Sequence, residues 1–350
     1  MPPRYREIEV RGRPRQLGRE LGEAAREEIR AFAAIALERV NISMRVAPES
    51  AMAVAQSCIP YVEAYAPDLL AEMSGMAEGS GVPLERLMLL QTRNQLRPEG
   101  GCTAFSLNGQ VTATQQRLIG QNWDNDPALD PFTVVLIRRP DGKPAMMDVT
   151  QAGLIAYIGV NDAGMGLCLN TLPAPSRNRG VPHYFMVRRI YESTSLQGAV
   201  RVVEQAERAI PANIVLSTPE GAADLEVTID AVHVLTAAAE GWLTHTNHCL
   251  HPQLKHINRE FPELIQSQPR KTRMDKLLGQ LDRPVLLSGL KQALRDHEGY
   301  PYSICRHPNQ HPGDGFWSSV FSIIAEPEAG RLHVSRGNPC TAPYETYELH

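Results

Sequence analysis

The chain has 350 residues, 43% of them apolar and 21% charged, and a net charge of −4. That composition is ordinary for a folded globular protein of one large or two ordinary domains. It argues against nucleic acid as a main partner, because phosphate binding needs a basic face, and no apolar run reaches the roughly 20 residues of a membrane span.

The first hundred residues read as helical. Leu21, Ala25, Ile29, Phe32 and Ile35 recur at helical spacing and predict a helix over 18–40. Further helices are predicted over 49–66, from Pro67-Asp68 onward, and over 83–94. The texture changes at Pro98-Glu99-Gly100-Gly101, a loop signal. Strands follow over 103–107, 117–122, 133–138, 145–150, 154–159 and 166–170, separated by turn signals such as Asn108-Gly109, Asp141-Gly142 and Asp162-Ala163-Gly164. A helix over 184–206 comes next, then strands over 212–217, 225–229, 232–235 and 242–246. Two helices, 272–281 and 286–296, precede a closing hairpin, 320–326 and 331–336, that turns at Glu328-Ala329-Gly330. Helices in blocks beside runs of antiparallel strand predict an α+β fold, not a doubly wound parallel sheet.

Cys58, Cys102, Cys168, Cys249, Cys305 and Cys340 are scattered, without a Cys-x-x-Cys pair. Such spacing reads as reduced thiols. The start, Met1-Pro2-Pro3-Arg4, has no apolar stretch behind it and does not read as a secretory signal. The expected location is the cytoplasm.

One cysteine stands apart. In Gly100-Gly101-Cys102-Thr103, Cys102 opens the first strand directly after a glycine loop. Three further motifs end or follow strands with polar groups: Asn122-Trp123-Asp124, Thr246-Asn247-His248 and Ile304-Cys305-Arg306. Singly each is ordinary. Together, in this order, they resemble the acyl-CoA:6-aminopenicillanate (isopenicillin N) acyltransferase family of self-processing enzymes. Glu72-Met73-Ser74-Gly75-Met76-Ala77-Glu78-Gly79-Ser80-Gly81 is similar to that family's pro-segment, and the closing hairpin fits as well. The likeness to bile-salt hydrolases and penicillin V acylases is more distant.

The resemblance implies an N-terminal-nucleophile (Ntn) hydrolase fold: an αββα sandwich of two antiparallel sheets between helical layers, with a helical pro-segment. It implies self-cleavage between Gly101 and Cys102, giving residues 1–101 as one chain and 102–350 as the catalytic chain, within one compact unit. It assigns Cys102 as nucleophile, Asp124 as the carboxylate that orients the new amine, Asn247 as oxyanion donor and Arg306 as a cation that could pair with Asp124, with Thr103 and Asn122 in support. The chemistry is coherent without the resemblance. A thiol with a pKa of roughly 8.5 is mostly protonated at neutral pH. A cut before Cys102 gives it a free α-amine of pKa roughly 8, close enough to serve as its base. Gly101 presents no side chain to hinder attack on its carbonyl.

The implied reaction takes the acyl group of a small N-acyl amide, or of an acyl thioester such as acyl-CoA, onto Cys102 and passes it to water or an amine. No cofactor is expected, no nucleic acid and no membrane partner; a homo-oligomer is compatible with the sequence. Two other readings remain. His245, His248 and His251, beside Cys249 and His256, would be the centre of a zinc hydrolase, although they straddle a strand end and a turn and read more simply as scaffolding for Asn247. A non-catalytic binding protein of the same fold is the other. Arg270-Lys271-Thr272-Arg273 reads as a solvated helix start.

Overall fold

Pro14, Pro48 and Pro67 each open a helix, at positions where a missing N–H breaks no helical bond. The computed structural model describes residues 4–42, 45–96, 101–312 and 314–349; Pro98, Glu99 and Gly100 of the predicted loop lie outside them. The N-terminal helices are α1 (Pro14–Ala24), α2 (Arg26–Asn41), α3 (Pro48–Tyr65), α4 (Pro67–Ser80) and α5 (Leu84–Leu96). The single helix predicted over 18–40 is thus two helices, broken at Ala25, whose φ of −110° and ψ of 29° leave the helical region. Gly81, at φ 72°, ends α4 in the left-handed conformation that glycine adopts without strain.

Before these helices lies a strand that the sequence reading missed, β1 (Glu7–Gly12). The strands that follow are β2 (Gly101–Leu107), β3 (Leu118–Asn125), β4 (Thr133–Pro140), β5 (Met146–Gln151), β6 (Ile158–Asn161) and β7 (Gly166–Asn170). The helix predicted over 184–206 is also two, α6 (His183–Ile190) and α7 (Leu196–Glu204). Ser195 caps α7, its Oγ accepting from the Gly198 N–H at 3.1 Å. Then come β8 (Ala212–Thr218), β9 (Gly221–Val227), β10 (Val232–Thr236), β11 (Trp242–His245), α8 (Ser267–Gln280), α9 (Leu287–Leu294), β12 (Ser318–Glu326), β13 (Arg331–Arg336) and a further unpredicted strand, β14 (Tyr344–Glu348).

The strands form two sheets, ordered β1-β4-β5-β6-β7-β8-β9-β10 and β11-β2-β3-β12-β13-β14. Among the described residues these strands pair antiparallel except β1 with β4, which is parallel. The sheets face each other across a core that includes Trp123 and Ile119 from the smaller, Leu167 and Ile214 from the larger, and Tyr157 just before β6. Trp123 meets Tyr157 edge-on at 5.8 Å between ring centroids. Helices α8 and α9 cover the outer face of the smaller sheet through Met274, Leu278 and Leu290, packed on Phe105, Leu107 and Ile324. The remaining helices lie with the larger sheet. The α+β, two-sheet sandwich expected from the sequence is the observed architecture.

Register brings the site together. Gly101, Cys102 and Thr103 lie opposite Asp124, Trp123 and Asn122. Ser319 lies opposite Asp124 on the other side of β3. His245 lies opposite Ala104, so the chain leaving β11 carries Asn247 past Cys102. Motifs far apart in sequence therefore meet at one end of the smaller sheet.

Candidate active site

Neighbouring strand residues point to opposite faces. Cys102 shares its face with Trp123, toward the larger sheet; Thr103 shares its face with Asn122, toward α8 and α9. Cys102 is buried, 2% exposed. Its backbone N–H, the nitrogen of the bond to Gly101, donates to Asn247 Oδ1 at 3.0 Å. The Asn247 Nδ2 donates to the Thr171 carbonyl at 2.8 Å. Two donors on the oxygen and a carbonyl beside the nitrogen fix the orientation of this amide. Behind it, Ser267 Oγ accepts from the Asn247 N–H at 2.7 Å and lies 2.7 Å from His248 Nδ1.

The second donor to Asn247 Oδ1 is Arg270 Nη2, at 2.8 Å. Arg270 is 1% exposed, which corrects its reading as a solvated helix residue. Its Nη1 donates to the Cys102 carbonyl at 2.6 Å and to Thr103 Oγ1 at 2.9 Å, and its Nε to the Ile265 carbonyl at 2.8 Å. One guanidinium thus ties the strand of Cys102 to Asn247 and to the start of α8. Five donors in a rigid fork make arginine suited to such a task. Sequence gave no sign of it, because an arginine in the first turn of a polar helix is ordinarily a surface group.

Asp124 is fully buried. Ser319 Oγ donates to its Oδ1 at 2.6 Å, while Oδ2 has no hydrogen-bond partner among the described residues. Burial pushes the Asp124 carboxyl up to about 6, against the pull of Arg270, the Ser319 hydroxyl and Arg306. Burial and the nearby Asp124 push the Cys102 thiol well above its ordinary range, with Arg270 opposing. Burial lowers Arg270 to about 10, so it stays cationic at neutral pH.

Arg306 is buried close by, but its carboxylate partner is Asp314, at 3.3 Å, and not Asp124. Its backbone N–H donates to Ser319 Oγ at 3.0 Å, so it reaches Asp124 through that hydroxyl. Guanidinium Nε and Nη1 carry no partner among the described residues. Asn122 faces away from the thiol. Its Nδ2 donates to the carbonyls of Leu294 and Ile304, at 2.8 and 2.9 Å, bracing α9 and the loop that leads to Arg306. It holds the scaffold and does not face Cys102.

Gly101 answers a steric demand. A Cβ built there would lie 1.9 Å from Ile265 Cδ1. Ile265 itself sits at φ 35° and Gln266 at φ 53°, a left-handed backbone that is uncommon for a β-branched residue and costs on the order of 1–3 kcal/mol per residue. This strained corner presses on the peptide before Cys102 and opens the helix that carries Arg270.

His245, His248 and His251 do not converge. His245 Nε2 lies 2.9 Å from Glu226 Oε1, His248 bonds Ser267, and His251 stacks on His233 at 4.3 Å. Cavities flank the site. One small cavity is lined by Asn94, Tyr157, Asn170, Thr171 and His183, and another by Asn247, His248 and Phe261. Asn94 belongs to α5, ahead of the Gly101–Cys102 bond, and lines the cavity on the side of Thr171.

The sequence model of the family described as acyl-coenzyme A:6-aminopenicillanic acid acyl-transferase matches residues 111–340. The chain belongs to this family. The matched span holds Asp124, Asn247, Arg270 and Arg306, and begins nine residues after Cys102. A curated relative, the acyl-coenzyme A:6-aminopenicillanic-acid-acyltransferase 40 kDa form of Emericella nidulans, is 28% identical over 98% of this chain and 95% of its own length. Among solved structures, a mutant conjugated bile acid hydrolase from Clostridium perfringens has a TM-score of 0.47 at 10% identity, covering 71% of this chain and 97% of that one. Penicillin V acylase from Agrobacterium tumefaciens has a TM-score of 0.45 at 13% identity, covering 67% and 83%. Membership in the acyltransferase family makes the chain an enzyme of acyl transfer or amide hydrolysis. Among the described residues no helix is long and apolar enough to cross a membrane.

Proposed function

We propose that this acyltransferase-family enzyme is a self-processing cysteine Ntn hydrolase, which cuts its own chain before Cys102 and then carries acyl groups on the Cys102 sulfur. One observation carries the reading: the Cys102 nitrogen donates to Asn247 Oδ1, and the buried Asp124, whose charge acts on the Cys102 thiol, keeps an oxygen, Oδ2, with no hydrogen-bond partner among the described residues.

In the first step the Cys102 sulfur attacks the Gly101 carbonyl carbon. The bond to the Cys102 nitrogen breaks, a thioester forms, and the thiol proton ends on the released amine. Water then hydrolyses the thioester, leaving a Gly101 carboxylate and a free N-terminal cysteine. Asp124 Oδ2 would accept a hydrogen bond from the new neutral α-amine, the proton of the Gly101 carboxylic acid passing to solvent, and Asn247 Oδ1 would continue to orient that amine.

In turnover the amine takes the thiol proton, the sulfur attacks the substrate carbonyl, and the leaving group departs with that proton. The Asn247 amide has two N–H groups, of which one is engaged by Thr171. The second is the donor for the oxyanion, and one such donor typically accounts for about 3 kcal/mol of transition-state stabilisation. The substrate class is a small N-acyl amide or an acyl thioester; the name of the curated relative points to acyl-CoA as one donor. The acyl-enzyme is released to water or to an amine.

Brief incubation with a library of N-acyl amino acids and acyl-CoA thioesters, followed by intact-mass analysis, tests this. The expected result is an acyl adduct on the 102–350 chain, located at Cys102 and discharged on standing. Asn247→Ala should bind the same substrate but turn it over roughly 10²–10³ times more slowly. Turnover in a Cys102→Ala variant at the wild-type rate contradicts the reading.

A further inference from the structure

Behind Arg306, away from the thiol, four side chains from three separate loops bring their ligating atoms within 4.8 Å of one another: His297, Cys305, His307 and Cys340. His297 Nε2 lies 3.1 Å from His307 Nε2. Cys305 Sγ lies 3.6 Å from the same nitrogen, and Cys340 Sγ lies 3.4 Å from it. A ring nitrogen has one proton or one lone pair, so His307 Nε2 satisfies one of these three neighbours by hydrogen bonding and leaves two. A metal at the centre satisfies all four. Zinc bonds of about 2.0–2.1 Å to nitrogen and 2.3 Å to sulfur give tetrahedron edges of about 3.3 Å between nitrogens and about 3.5 Å between nitrogen and sulfur. The three separations from His307 Nε2, 3.1, 3.4 and 3.6 Å, match these edges, and all four atoms lie within 4.8 Å of one another.

We propose that His297, Cys305, His307 and Cys340 bind one zinc ion as a structural site. Two thiolates and two neutral imidazoles suit zinc in donor softness and leave the metal with no net charge, which suits the buried Cys305. Binding releases the two thiol protons. Four protein ligands close the coordination sphere, so the ion holds no water for hydrolysis. Asn338 Nδ2 stands 3.5 Å from Cys305 Sγ and donates to the Arg306 carbonyl at 2.6 Å, an outer contact of the kind that orients ligands. The ion would pin together the chain after α9, the long irregular stretch before β12 and the turn after β13. Arg306, the residue between two of its ligands, would be fixed with them.

The test uses the full chain, purified without a histidine tag, dialysed with zinc and reductant and then freed of loose metal. About one zinc per chain is expected by elemental mass spectrometry, and replacement by cobalt(II) should give the visible absorption of a tetrahedral thiolate complex. Cys340→Ser and His297→Ala should each weaken retention at least roughly tenfold, while His248→Ala should leave it unchanged. Wild-type protein that retains no zinc and gives no cobalt spectrum overturns the proposal, even if the variants fail to fold. So does equal retention in both ligand variants, or a Cys305–Cys340 disulfide in protein alkylated at lysis.

Discussion

At the scale of single residues, the account turns on charges that are buried and not fully neutralised. Arg270 touches the Cys102 carbonyl, Thr103 and Asn247 at once. Arg270→Met should take one donor from each of these oxygens and slow self-cleavage by roughly 10²–10³, read as loss of intact chain on a timed gel; Arg270→Lys should recover part of it. Asp124 supplies a pH signature. Its carboxyl is raised to about 6 in the folded chain from an ordinary 3.8. The neutral form is the one favoured by folding, so its stabilising contribution is full below pH 3.8 and falls as pH rises to about 6. In the proposed reaction the ionised Asp124 accepts from the amine as it is released, so the rate of self-cleavage should climb with pH and inflect near 6, and Asp124→Asn should lack that inflection. Part of this site was legible in the sequence. Cys102, Asp124 and Asn247 stand in motifs whose residue types declare chemistry. Ser319 and Arg270 do not: a serine in a strand and an arginine on a polar helix look the same whether buried or exposed, and only the fold decides. The same limit hid the four metal-ligand candidates, whose spacing follows no sequential pattern.

At the scale of elements, the helical block before Cys102 is fitted closely to the rest. Helices α1 and α4 cross where glycines face backbone. A Cβ on Gly18 would lie 1.7 Å from the Glu72 carbonyl oxygen, and one on Gly75 would lie 2.0 Å from the Arg15 carbonyl oxygen. Gly75→Ala must push the helices apart, and should cost about 1–3 kcal/mol, seen as a lower denaturation midpoint. Gly279→Ala, in α8 with open space around it, should not. Periodicity marked the helices correctly in kind but not their breaks at Ala25 and at 191–195, where continuous apolar spacing hides a change of direction. Strands β1 and β14 were missed because both pair at or near sheet edges, where polar residues such as Glu7, Glu9 and Glu348 replace a simple apolar alternation.

At the scale of the whole molecule, the stretch before Cys102 is also part of the fold. Strand β1 is paired along β4, and Glu72 of α4 bridges the buried Arg138 and Arg188 at 3.2 Å each. Removing one member of such a group leaves buried charge unpaired, which typically costs 3–5 kcal/mol. The two products should therefore stay together and co-elute as one species in gel filtration, separating only in denaturant. The layered α+β architecture was legible because blocks of helix and strand survive errors at their edges; the parallel β1–β4 pair was not, since hairpin signals speak only of neighbours in sequence. The most direct measurement is the intact mass, under denaturing conditions, of freshly purified wild-type and Cys102→Ala protein. The account predicts two masses for the wild type, residues 1–101 and 102–350, and one full-length mass for the variant. A wild-type chain that remains whole while it turns over substrate at full rate would contradict it.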